Sequence, residues 1–139
     1  MNKVLITGGG GYIGTQLIKD LLDNKYTVTC LDRFYFGIDI ISPFIKNDNF
    51  LYVRKDIRSI NTQDFADFDF VIDLAGISND PACDLDPAIT DSINHQGALH
   101  CAKTAKKAGV KRYIMASSCS IYGTGSDNEL NENSQINPV

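Results

Sequence analysis

The sequence predicts a doubly wound parallel α/β sheet of about five strands. Three observations carry that prediction: short apolar runs alternate with segments of helical period, a glycine-rich turn joins the first run to the first helical segment, and an acid closes the second run. Strand–helix–strand alternation of this kind implies right-handed crossovers. At 139 residues, 43% hydrophobic and 22% charged, the chain has the makeup of one globular domain and leaves no room for separate cofactor and substrate domains.

The elements follow in order. Residues 3–7 form an apolar run bounded by glycine, suited to a strand buried on both faces. Ile13, Leu17, Ile18, Leu21 and Leu22 recur at helical spacing up to Asn24, an end signal. Residues 26–31 alternate and are rich in β-branched side chains, a second strand closing at Asp32. A loop follows, with a short helix over 38–45 that Pro43 breaks or redirects. Residues 50–53 read as a third strand before a polar turn at Lys55, Asp56 and Arg58, and residues 68–75 as a fourth. Residues 76–84 read as a polar loop. A long helix then opens with Asp86 as N-cap and Pro87 at its first position, runs through Ile89, Ile93, Leu99, Ala102 and Ala105, and stops at Gly109. Gly97 lies inside it at a cost of about 1 kcal/mol relative to alanine, which close packing would offset. Residues 111–117 make a fifth strand, and 123–139 are polar without a strong period.

Composition narrows the function. A net charge of −4 argues against a dedicated nucleic-acid binder. The cysteines, Cys30, Cys83, Cys101 and Cys119, form no Cys-x-x-Cys pair and lie apart from His95 and His100, so no metal site is expected. Cys30 ends an apolar run and reads as a small buried thiol. No run is long enough for a membrane span or a signal peptide, and a cytoplasmic location with reduced thiols is the expectation. Lys103, Lys106, Lys107, Lys111 and Arg112 read as a solvated helix face, cations being favoured at a helix C-terminus.

The run from Thr7 to Gly14 places glycines at 8, 11 and 14, with Gly9 and Gly10 between. In a strand–turn–helix setting such glycines provide a sharp turn, close backbone approach to a phosphate, and tight helix-on-strand packing. The helix N-terminus adds free N–H groups for a pyrophosphate. Asp32, 18 residues beyond Gly14, can accept hydrogen bonds from an adenosine ribose and repel a 2′-phosphate, which favours NAD over NADP. The adjacent Arg33 could instead accept that phosphate.

On these residues the chain resembles the short-chain dehydrogenase/reductase superfamily, in its extended branch of NAD-dependent nucleotide-sugar epimerases and dehydratases. The glycine block 7–14 is similar to that branch's Thr-Gly-x-x-Gly-x-x-Gly, and Asp56-Ile57-Arg58 to its Asp-hydrophobe-Arg segment, whose acid approaches the adenine. Asp73-Leu74-Ala75-Gly76, at the end of the fourth strand, matches a segment that lines the cofactor, although the branch more often has alanine at the position of Gly76. Residues 116–123 are similar to its Ser-Ser-x-x-x-Tyr-Gly, and 94–97 to its Asn-x-x-Gly. The resemblance implies a Rossmann-type domain over residues 1–139. It further implies a cofactor site of Gly8, Gly11, Tyr12, Ile13, Gly14, Asp32, Arg33, Asp56, Ile57, Leu74, Ala75, Gly76 and Asn94, the last mainly as scaffold. Ser118 matches the catalytic Ser/Thr that hydrogen-bonds the reacting sugar hydroxyl or carbonyl.

One expected feature is missing. The branch draws its general base from Tyr-x-x-x-Lys, yet Tyr12, Tyr26, Tyr35, Tyr52, Tyr113 and Tyr122 are followed four residues on by Gln16, Cys30, Asp39, Asp56, Ser117 and Ser126. The chain is therefore expected to be the cofactor-binding part of a longer enzyme, ending before its base and its sugar-binding region and inactive alone. Cys119 and Ser120 stand where 4,6-dehydratases of the branch carry Asp-Glu, so a redox epimerase or reductase acting on a nucleotide sugar is favoured over a dehydratase. Two further readings stay open: a non-catalytic NAD-sensing module, and a structural partner pairing through its open sheet edge. A homodimer is open as the assembly.

Overall fold

The computed structural model describes residues 1–123 and 129–138; of the polar tail, 124–128 and 139 lie outside the described residues. Strands β1 (Lys3–Thr7), β2 (Thr27–Asp32), β3 (Phe50–Arg54), β4 (Phe70–Asp73) and β5 (Arg112–Met115) form one sheet in the order β3-β2-β1-β4-β5. Every neighbouring pair is parallel, with Val4 opposite Val28 and Phe70, and Thr7 opposite Leu31 and Asp73. The order reverses direction at β1, so the carboxyl ends of β1 and β4 border the crevice where such sheets bind ligands.

Each face carries its own core. Val4, Ile6, Ile18, Val28, Cys30, Phe34, Ile41 and Phe50 pack together on the side of helix α1 (Tyr12–Asp23). Leu5, Leu31, Ile57, Ile60, Phe65, Val71, Cys101 and Ala105 form the other cluster. Burial on both faces explains why β1 reads as a continuous apolar run rather than an alternating one.

The helix signals hold at both ends of the long crossover. The Asp86 carboxylate accepts the Ile89 N–H at 3.0 Å, and Gly109 takes φ +83° just past the last helical turn. Between them the helix is not uniform. It runs as α3 (Pro87–Asp91), a π-helical stretch (Ser92–Gly97) and α4 (Ala98–Lys107), with α2 (Asp80–Leu85) immediately before. Helix α2 corrects the expected loop over 76–84. Asn79 caps it by accepting the Ala82 N–H at 3.2 Å, and Pro81 sits in its first turn, so a polar stretch coils without an apolar stripe. The expected close packing of Gly97 is present, since a Cβ there would lie 2.7 Å from Ile57 Cδ1.

Candidate functional site

The glycine turn leaves β1 at Gly8, whose N–H donates to the Leu31 carbonyl at 2.9 Å. Gly8 has φ +69°, and a Cβ on it would meet the backbone of Leu74 and Ala75 at 2.6 Å. At Gly14 a Cβ would come 2.5 Å from the Gly9 carbonyl oxygen, so α1 lies directly against the turn. Gly11 is the N-cap of α1 and offers no side-chain cap, and the first turn holds no acidic residue. Tyr12 and Ile13 open the helix with largely exposed side chains. The amides of that first turn therefore point out with no side chain to satisfy them.

Asp32 joins this turn to the end of β2. One carboxylate oxygen accepts the Gly10 N–H at 2.9 Å and the other accepts the Phe34 N–H at 2.6 Å. Each oxygen keeps a further lone pair, and the residue is half-buried at the crevice. Arg33, next in sequence, pairs with Asp56 at 2.9 Å. Asp56 also binds Arg58, which donates from Nε and Nη2, and the two guanidinium groups hold its carboxyl down at about 2. Ile57, just beyond, is buried in the second core.

On the far side of the crevice, the Leu74 N–H donates to the Thr7 carbonyl at 2.9 Å. Asn94 clamps Ile77, its Oδ1 accepting the Ile77 N–H and its Nδ2 donating to the Ile77 carbonyl, both at 2.8 Å. A Cβ on Gly76 would sit 3.3 Å from Asn94 Oδ1, so the alanine usual in the resembling branch would press on this clamp. Ser118 lies past β5 on the exposed turn Cys119–Tyr122, where its Oγ accepts the Ser120 N–H at 3.1 Å and keeps its own proton to donate.

Sequence reasoning missed a buried polar cluster behind this surface. Asp73, 2% exposed, accepts hydrogen bonds from the Thr7 and Tyr113 hydroxyls and from the Ala75 N–H at 3.2 Å. It thus ties the residue before the glycine turn to the segment that turn packs against. Burial and the Asp73 charge raise the Tyr113 hydroxyl pKa, and burial pushes the Cys101 thiol up to about 12. An acid inside the apolar run of residues 68–75 was the available signal. Among the described residues no cluster of three His, Cys, Asp or Glu could hold a metal ion, and no helix is long and apolar enough to cross a membrane.

A parallel sheet in this order, with a bare glycine turn at its crevice and a carboxylate at the end of β2, defines a dinucleotide-binding α/β domain. The chain belongs to the NAD dependent epimerase/dehydratase family, which matches residues 4–139. It is 28% identical over 140 residues to UDP-glucuronic acid decarboxylase 1 of Danio rerio, covering 99% of this chain and 32% of that protein. It is 29% identical over 141 residues to a putative UDP-glucose 4-epimerase of Methanocaldococcus jannaschii, covering 98% of this chain and 45% of that protein. Its fold superposes on DesIV, a dTDP-glucose 4,6-dehydratase from Streptomyces venezuelae crystallised with NAD and TYD, with TM-score 0.90 at 24% identity, covering 98% of this chain and 45% of that one. The chain spans less than half the length of these relatives.

Proposed function

We propose that residues 1–139 are the NAD-binding part of a nucleotide-sugar epimerase or reductase. The observation that carries this reading is the first turn of α1, which no side chain caps, directly behind the glycine turn that leaves β1. A pyrophosphate fits there against the first-turn N–H groups. Asp32 would accept the ribose hydroxyls, and Leu74–Gly76 would line the nicotinamide end. NAD, when bound, supplies a hydride acceptor and donor for a sugar carbinol. Ser118 would donate its hydroxyl proton to the sugar oxygen and fix its position, a positional contribution to rate. Cys119 and Ser120 beside it are poorly suited to the acid and base work of water elimination, which favours redox epimerisation over dehydration. No Tyr-x-x-x-Lys pair stands among these residues, so this chain alone is expected to bind NAD and to turn over no sugar.

Calorimetric titration of the 139-residue chain with NAD and NADP tests the reading. Saturable NAD binding, tighter than NADP, is the expected result. Binding of neither dinucleotide overturns it.

A further inference from the structure

Arg33 and Asp56 come from different turns, 23 residues apart, and meet at the end of β2 beside Asp32. The Arg33 guanidinium donates to Asp56 Oδ2 at 2.9 Å and lies over the Tyr35 ring, 4.5 Å from its centre. Arg58 grips the same carboxylate from the other side, with Nε on Oδ1 at 3.0 Å and Nη2 on Oδ2 at 2.6 Å. The Arg58 backbone N–H adds a bond to Oδ1 at 2.9 Å. Asp56 thus receives two N–H donors on each oxygen, which fills the acceptor capacity of a carboxylate. Arg58 has a second anchor, the Ser92 hydroxyl at 2.9 Å, whereas among the described residues Arg33 forms its one ion pair with Asp56. Lys55, the other cation of this turn, is paired with Asp64 at 2.7 Å.

A guanidinium beside the acid that ends β2 is what a 2′-phosphate would use, and here that guanidinium is engaged elsewhere. We propose that Asp56 is a specificity-determining residue: by pairing with Arg33 it holds the guanidinium away from the ribose, leaving the Asp32 carboxylate to exclude the 2′-phosphate of NADP. The inference rests on the cofactor reading above and adds the element that makes the choice. Its logic is electrostatic. A freed arginine adjacent to Asp32 cancels the repulsion that a phosphate dianion meets there, and a charge-assisted bond to phosphate is among the stronger ones. The two guanidiniums keep Asp56 ionised down to about pH 2, so the latch persists at any working pH.

The test is titration of the chain with NAD and NADP, comparing wild type, Asp56→Asn, Asp56→Ser and Asp56→Asn/Arg33→Gln. Asn and Ser both retain an acceptor for the Arg58 N–H, so the turn that Asp56 caps is kept while its charge is removed. A thermal melt checks the folding of each. Both single variants are expected to bind NADP about tenfold tighter relative to NAD than wild type does, and the double variant to lose that gain. An unchanged ratio, as equal weakening of both cofactors would give if Asp56 served only as an adenine contact, overturns the proposal. A gain that survives Arg33→Gln also overturns it and assigns the phosphate to another cation such as Arg54. Wild type binding neither dinucleotide would instead sink the cofactor reading itself.

Discussion

Gly8 and Gly11 occupy equivalent-looking places in one motif, yet only one of them is held to glycine by its surroundings. Gly8 has a left-handed φ and backbone atoms of Leu74 and Ala75 at 2.6 Å from any added Cβ. Gly11 has φ −87° and a nearest contact of 3.3 Å. Gly8→Ala is therefore expected to destabilise the fold by about 2–3 kcal/mol and to weaken NAD binding, because neither backbone can yield without moving β1 or β4. Gly11→Ala should cost well under half of that. Urea melts of the two variants check this, and equal midpoints would contradict it. The motif was legible as a pattern of residue types. The unequal burden on its glycines was not, since it depends on a strand more than 60 residues away lying against the turn. Asp32 is a similar case. Its position at the strand end was readable, but its bonds to the Gly10 and Phe34 amides became visible only in the folded turn.

At the scale of elements, the crossover from Asp86 to Gly109 shows how far helical signals reach. Cap, first-turn proline and terminal glycine were all readable because each acts within a few residues. The π-helical stretch between them was not, since its hydrogen bonds span one residue more than those of the surrounding helix and leave the apolar pattern nearly intact. It carries Asn94, whose amide grips the Ile77 backbone beyond β4, and it ends at Gly97 against Ile57. The last contact predicts a coupling. Ile57→Val removes the methyl that a Cβ at 97 would strike, so it should cost about 1 kcal/mol in wild type and close to nothing in a Gly97→Ala background. A double-mutant cycle by denaturant unfolding measures this, and strictly additive effects would show that the helix shifts to make room.

The whole molecule is a sheet with a thiol buried in each of its two cores, Cys30 on the α1 side and Cys101 on the other. Burial raises both thiols from 9.0 to about 12. The sign follows from linkage: above about pH 9 the unfolded chain releases protons that the native chain retains, so stability falls as pH rises from about 9 toward 12. Tyr113, raised by its burial and by Asp73, acts in the same direction. The denaturant midpoint should be nearly flat across neutral pH and decline above 9, with a shallower decline in Cys30→Ala. Exposed Cys119 should react with a thiol reagent in the native state while Cys30 and Cys101 wait for unfolding. A midpoint that stays flat through pH 11 would refute this.

By itself the sequence determined the order and type of the main elements, the glycine turn, the acid at the end of β2 and the family to which the chain belongs. These are encoded in short-range periodicity and local motifs, which act over a few residues. Tertiary structure alone decided the partners: Arg33 with Asp56, Asp73 with Thr7 and Tyr113, Gly8 against Ala75. Those pairs are separated by 23, 66, 40 and 67 residues, and they exist because parallel crossovers bring the carboxyl ends of distant strands to one edge of the sheet. Spacing along the chain tells which face a side chain takes. Only the folded sheet tells which charge it meets there.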